Sequence, residues 1–371
     1  MKNYILFLLL IIITSCGSGG GENNSSSNNT NNPPNTDNEI QNFEPTCDSP
    51  AVSSEHEAFP FHNKGYKDGF EYYLVCNASQ LASINNNDEF LSRNYRMGGD
   101  IDLFEFYEGD YVTNPTNQFM IGEYPDHPFK GVFVGDHWAI SNFRLISQDP
   151  NYCGLFGYIK DATISGIQFE NARIESEEND AICGSIVGLS ESSMLYELAI
   201  LKEEEDGVDE RDWAFVRGSH VAGFIGLMVD TELKESYSVI ELQNIDDELI
   251  NSFSISGYTY SFDGNSSAVN LFYDGKIESV ESKTEISGFS YLDINDEEGI
   301  PYISNVYYSD KIGGDPCFSN SLCGDGNISY IDTSSDQYYF MDSRNEPLSS
   351  WNPVLWWFAD SIEDAHYPYL E

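Results

Sequence analysis

Three related tetrapeptides constrain what this chain can fold into. Gly154-Leu155-Phe156-Gly157 recurs as Ser185-Ile186-Val187-Gly188 and again as Gly223-Phe224-Ile225-Gly226. In every copy an apolar residue stands seven positions beyond the last glycine: Ile164, Leu195 and Leu233. The first two copies continue with Ile167 and Phe169, and with Leu198 and Ile200, a three-then-two spacing repeated at Ile140, Phe143, Leu145 and at Ile303, Val306, Tyr308. The third copy has Ser236 and Ser238 where apolar residues would fall, and around Val269 and Phe272 the pattern survives in part. Such short segments recur at intervals of roughly 23 to 38 residues and are separated by Gly, Asn, Asp and Ser. A unit this small cannot bury its apolar face alone and must stack on copies of itself. The 24 Tyr and 23 Phe favour strands, and no long stretch shows helical periodicity. The chain therefore reads as an all-β solenoid, its coils about 4.8 Å apart.

The N-terminus reads differently. Lys2 precedes an unbroken apolar run, Tyr4 to Ile13, about half of what a membrane-spanning helix needs. It ends in Ile13-Thr14-Ser15-Cys16, which resembles the lipobox of bacterial lipoproteins. That resemblance implies cleavage before Cys16, lipidation of its sulfur and attachment to a membrane. Gly17 is not the aspartate that retains enteric lipoproteins at the inner membrane, so the expected address is the cell envelope, as an outer-membrane lipoprotein facing either the surface or the periplasm. From Gly17 to about Asn42 the residues are Gly, Ser, Asn, Thr and Pro, too polar to offset their ordering entropy, which predicts a disordered tether.

Six further cysteines, an even number in an exported chain, predict disulfides. Cys317 and Cys323 close a short loop, Cys153 and Cys183 each precede a glycine in neighbouring repeats, and Cys47 with Cys76 would staple the start of the domain. The expected organisation is a signal peptide over 1–15, a lipidated linker over 16–45, an N-terminal cap over 46–103, repeats over 104–310, and a disulfide loop with an aromatic cap over 311–371. The N-terminal cap holds the one expected helix, around Ala78 to Tyr95, and Trp351, Trp356, Trp357 and Phe358 are expected to cover the open end of the solenoid.

The segment Ile121-Gly122, Pro128-Phe129-Lys130-Gly131-Val132-Phe133, Ile140-Ser141-Asn142, Gly154-Leu155-Phe156-Gly157 and Ile164-Ser165-Gly166 resembles the GLUG-motif proteins of bacterial surfaces. Tyr72-Tyr73-Leu74-Val75 and Asp100-Ile101-Asp102-Leu103 look like that family's opening segment, and Tyr367-Pro368-Tyr369-Leu370 like its ending. Val134 and Trp138 depart from the usual pattern, and the coils after Gly226 have drifted. The resemblance implies a right-handed parallel β-helix on a secreted or surface-attached protein, associated with adhesion, and it supplies no catalytic residues.

Chemistry is sparse. The net charge of -45, from 62 acidic against 17 basic residues, excludes nucleic acid as a partner. No GxSxG, HExxH or glycine-rich phosphate loop is present. Lys130, Arg144 and Arg173 sit in or beside the repeated strands without an evident acidic constellation, so the chain is read as a non-enzyme. Oxygen-rich clusters at Glu203, Glu204, Asp206 and Asp209, and at Asp293, Asn295 and Asp296, are candidate structural Ca²⁺ ligands, and no other cofactor is implied. The expected role is adhesin-like binding of a surface glycan or protein, or envelope display; a polysaccharide lyase or hydrolase and a purely structural envelope protein are the alternatives.

Overall fold

A computed structural model describes residues 44–48, 64–67, 69–104, 119–147, 151–176, 178, 180–202, 214–244, 253–278, 284–293, 302–311, 315–317, 328–359 and 366–370. Contacts divide the chain between Gln41 and Asn42, and every described residue belongs to the second unit. Cys16, the apolar leader and the tether lie outside the described residues.

The second unit is a parallel β-helix. Its longest sheet opens with an antiparallel hairpin, Lys64–Lys67 against Phe70–Val75. It continues through Tyr95–Met97, Val132–Val134, Thr163–Glu170, Met194–Leu201, Glu232–Ser238, Ser267–Tyr273, Tyr302–Ser309 and Ile328–Ile331, every pairing after the hairpin being parallel. Parallel strands joined by long crossovers take the right-handed course. Parallel pairing thus extends beyond 104–310 on both sides. A ten-stranded parallel sheet, two ladders joined through the strand Thr284–Asp293, carries the motif segments, and a five-stranded sheet completes the coil.

The sequence offset becomes a register. Phe133, Ile164, Leu195, Leu233, Ala268 and Ile303 are successive partners in one inward column, all buried. A second column runs Ile167, Leu198, Ser236, Leu271, Val306, and a third Ile140, Phe169, Ile200, Ser238, Tyr273, Tyr308. The three-then-two spacing arises because one residue between the first two columns is left-handed, at Gly166, Glu197, Glu235, Asn270 and Asn305, with φ between 46° and 64°. The turn lets residues three apart both point inward. Ile140, Phe143, Leu145 belong to a different corner: Ile140 pairs with Phe169 and Leu145 with Ile174, and the left-handed residues there are Asn142 and Asn171. In the fifth copy the inward residues are Ala268, Leu271 and Tyr273, so the partial pattern at Val269 and Phe272 is one position out.

The motif glycines serve close approach and not positive φ. A Cβ on Gly157 would lie 2.6 Å from the Gly122 carbonyl, and on Gly226 2.5 Å from that of Gly188. Between the glycines, Leu155, Ile186 and Phe224 are fully buried, and the Phe224 ring stacks on Tyr258 at 5.4 Å.

Cys153 and Cys183 are direct register partners and form a disulfide, as do Cys47 and Cys76, with Cα separations of 4.5 and 5.6 Å. Cys317 is disulfide-bonded, and Cys323 lies outside the described residues. Bonds of this kind belong to oxidising compartments, so the chain matures outside the cytoplasm, as an extracellular or cell-surface protein. Among the described residues no helix is long and apolar enough to cross a membrane.

At the N-terminal end the expected helix is broken into Ala78–Ser83, a 3₁₀ turn Ile84–Asn86, and Asp88–Leu91. Asn77 and Asn87 cap the two α segments through their side-chain oxygens, and Leu81, Ile84, Phe90 and Leu91 enter the core. The C-terminal aromatic group corrects its expectation. Phe340, Leu348, Trp351, Trp356 and Leu370 lie on the outer face of the long sheet, against Ala199, Tyr237, Val239 and Phe272. They form a strap along the flank, because the outward residues there are themselves aromatic: Tyr237 and Phe272 stack at 4.7 Å, and Phe272 and Phe340 at 4.7 Å.

Candidate functional site: a polar corner beside the aromatic strap

The left-handed corner of the long sheet carries the most unusual chemistry among the described residues. Gly166 bears no side chain, and the His137 turn packs beside it, with Asp136 N 3.4 Å and His137 Cδ2 3.6 Å from where a Cβ would stand. Glu197 and Glu235 occupy the next two coils, and Asn270 and Asn305 the two after, where Asn305 Nδ2 donates to Asn270 Oδ1 at 3.1 Å. Asparagine tolerates the left-handed region; glutamate does so poorly, at about 1–2 kcal/mol per residue. Both glutamates are half-buried, with φ of 56° and 46°. Neither carboxylate has a hydrogen-bond or ion-pair partner among the described residues.

Electrostatics follows from that burial. Desolvation first, and then the charge of Glu235, push the Glu197 carboxyl above the usual range, against a smaller lowering by His137. Desolvation also raises Glu235, opposed by Lys234, which is itself paired with Glu232 at 2.8 Å. Two adjacent, incompletely solvated carboxylates thus gain most from a partner that brings positive charge or hydrogen-bond donors.

Neighbouring elements hold the corner rigid. The turn bearing His137 is tied to the coil below: Gly135 N donates to Ser165 O at 2.7 Å and His137 N to Gly166 O at 2.9 Å. Arg96 clamps Asp136 with Nε to Oδ2 at 2.8 Å and Nη2 to Oδ1 at 2.6 Å. Gln168 Nε2 donates to His137 O at 2.9 Å and to Leu370 O at 3.4 Å, which joins the turn to the end of the strap. On the strap, Trp356–Trp357 pairs antiparallel with Tyr369–Leu370. Trp356 and Leu370 face the sheet, while Trp357 and Tyr369 face away, their rings 4.7 Å apart and stacked with His366. Tyr369 is 39% exposed and Trp138, following His137, is 40% exposed. The strap is pinned by Trp351 Nε1 donating to Asn270 O at 3.1 Å and by the Tyr237 and Tyr367 hydroxyls donating to Pro368 O and Asp274 Oδ2.

The residues singled out from the sequence fall elsewhere. Glu203, Glu204, Asp206, Asp209, Asn295 and Asp296 lie outside the described residues, and Asp293 ends the strand Thr284–Asp293. Among the described residues no group of three His, Cys, Asp or Glu is placed to hold a metal. Arg144 and Arg173 are register partners on the five-stranded sheet. There Arg173 and Arg217 both donate to the buried Glu175 and flank the Phe215 ring, two cations on one carboxylate, a self-contained structural cluster. Lys130 donates its backbone N–H to Leu91 O, tying the cap to the first coils. Sequence reasoning missed Glu197 and Glu235; their signal was position, one residue before the second apolar column.

No family model matches the chain. Halomucin of Haloquadratum walsbyi is 30% identical over 126 residues, covering 32% of this chain and 1% of that protein, so the chain spans about a hundredth of the curated relative it matches. Among solved structures, a Bacteroides ovatus chain provisionally assigned as an immunoglobulin A1 protease has a TM-score of 0.44 and 14% identity, covering 81% of this chain and 92% of that one. An IgA1 protease gives a TM-score of 0.38 at 13% identity, covering 72% of this chain and 22% of that one. At these scores no activity passes from either to this chain.

Proposed function

We propose that this chain is a membrane-anchored surface lipoprotein of the GLUG type, whose β-helix presents the Glu197–Glu235 corner to a partner on another surface, as an adhesin does. One observation carries the reading: two half-buried carboxylates lack partners among the described residues, at positions that also carry backbone strain. A stack of coils has no stability reason to keep either cost, and such outliers collect where a ligand binds. The lipobox at Cys16 and the disulfides support an exported, tethered location, and the rigid coils support display.

The test has two parts. Metabolic labelling with a fatty acid should tag the wild-type chain, and Cys16→Ser should abolish the label. Cells lacking the protein should attach less to a host or glycan-coated surface, and re-expression should restore attachment. Attachment equal with and without the protein would leave only a structural envelope role. The adjacent-coil carboxylates also favour a second reading, a polysaccharide hydrolase, since a raised carboxyl can hold the proton such chemistry needs. New reducing ends released from a polysaccharide by the wild type, and not by Glu197→Gln, would establish it.

A further inference from the structure

We propose that the corner between the aromatic strap and the Glu197–Glu235 pair binds a saccharide bearing a free amino group. The inference rests on the binding role above and names its ligand class. Four observations converge on it.

The first is the pair itself. Glu197 and Glu235 stand on adjacent coils, about 4.8 Å apart along the stack, with no partner among the described residues. An ammonium group between them would supply the donors and the positive charge that burial has denied them. The second is the wall beside them. Gln168 couples the His137 turn to Leu370, so the ring platform of Trp357, His366 and Tyr369 is tied to that turn, on which Trp138 is exposed. Sugar rings present C–H faces that pack on such aromatic planes, and a nearby cation is further favoured by the ring faces.

The third is charge. The net charge of -45 repels sulfated or uronic-acid polymers and draws in amino-bearing ones. The fourth is rigidity. The Arg96 clamp on Asp136, the hydrogen bonds between coils and the strap's pins hold the walls before any ligand arrives, which reduces the ordering cost of binding. Glu191, by contrast, is engaged by Lys160 at 2.7 Å and by the Tyr158 hydroxyl at 2.9 Å.

The experiment titrates the purified full-length chain with a glucosamine tetramer and with the fully N-acetylated tetramer, in about 0.5 M salt so that diffuse surface charge is screened. The amine-bearing oligomer should bind at least tenfold more tightly than the acetylated one. The double variant Glu197→Gln, Glu235→Gln should lose that preference, and Trp357→Ala should weaken binding of the amine tetramer tenfold or more. Circular dichroism and a melting curve on each variant check that it is folded. Equal affinity for the two oligomers, no binding of either, or full affinity in the double-glutamine variant would each overturn the amino-sugar assignment. The binding role fails separately: if deletion cells attach normally, that reading is lost, whereas if attachment needs the protein but survives the double-glutamine substitution, only the ligand class is wrong.

Discussion

The coils from Thr163 to Leu201 and those from Glu232 to Ser309 share one backbone and one register but differ inside. In the earlier pair the inward columns hold Ile164, Ile167, Phe169 and Leu195, Leu198, Ile200. In the later coils the first column stays apolar, while the second holds Ser236 before Leu271 and Val306 and the third holds Ser238, Tyr273 and Tyr308. Yet Ser236 and Ser238 are fully buried, and Ser236 Oγ accepts from Leu198 N at 3.1 Å while donating to Lys234 O at 2.8 Å. A buried hydroxyl is tolerable once it is satisfied. The volume it leaves unfilled goes to tyrosines: Tyr273 donates to Ile240 O at 2.7 Å, and Tyr258 to Tyr307 O. Register is therefore set by the parallel ladder and its left-handed corners, and side-chain identity in the columns is free to change within that frame.

The comparison can be broken most forcefully on its apolar side. Leu198→Ala should lower unfolding stability by about 2–5 kcal/mol, because the site is enclosed on both neighbouring coils and cannot collapse. Chemical denaturation measures it, and a loss under 1 kcal/mol would mean the early coils are not close-packed. Its register partner should respond less: Ser236→Ala should cost about 1–3 kcal/mol, from the unsatisfied Leu198 N–H. If the two losses were equal, hydroxyl and methyl columns would be equivalent in weight.

Smaller effects lie at the corner, where the sign reverses. Glu235→Gly should raise stability by about 1 kcal/mol, since glycine adopts the left-handed region freely and the desolvated charge is removed. A loss would show that the side chain is held by something beyond the described contacts. The smallest effect is a pH slope. Glu197 has its folded-state pKa raised, so the stability tied to its proton is fully present below the ordinary glutamate value and disappears as pH rises through the raised one. Melting temperatures of wild type and Glu197→Gln should therefore converge in acid and separate with rising pH, the variant being the more stable. The charges of Glu235 and His137 act on Glu197, and that of Lys234 on Glu235. A constant difference across that range would remove the assignment.

Much of the fold was legible because stacking imposes a repeat. The seven-residue offset to Ile164, Leu195 and Leu233 is the inward column itself, and the two cysteines that precede Gly154 and Gly184 are true register partners. The corner was hidden for a physical reason. Glycine and asparagine advertise a left-handed turn at Gly166, Asn270 and Asn305, but glutamate does not, so Glu197 and Glu235 looked like ordinary surface acids. The strap was misplaced on similar grounds. An aromatic C-terminus suggests an open end to cover, whereas the outward pair Tyr237 and Phe272, each standing between two inward positions, had already made the flank sticky.

The Cys153–Cys183 bond has a consequence for how such a stack comes apart. Because the two sulfurs join the same place on neighbouring coils, they close one whole turn of the helix into a covalent ring. A solenoid frays like a zipper, coil by coil from its ends, and a closed ring is a stop the fray cannot pass. Unravelling from the N-terminal side halts there, and the coils from Ser185 to Ser309 rely on noncovalent defence up to the disulfide-bonded Cys317. The flank strap runs along that stretch, across the outer faces of Tyr237 and Phe272. The early coils are thus guarded by topology and the flank under the strap by adhesion to itself, so reduction should make the early coils fray more than the strapped ones.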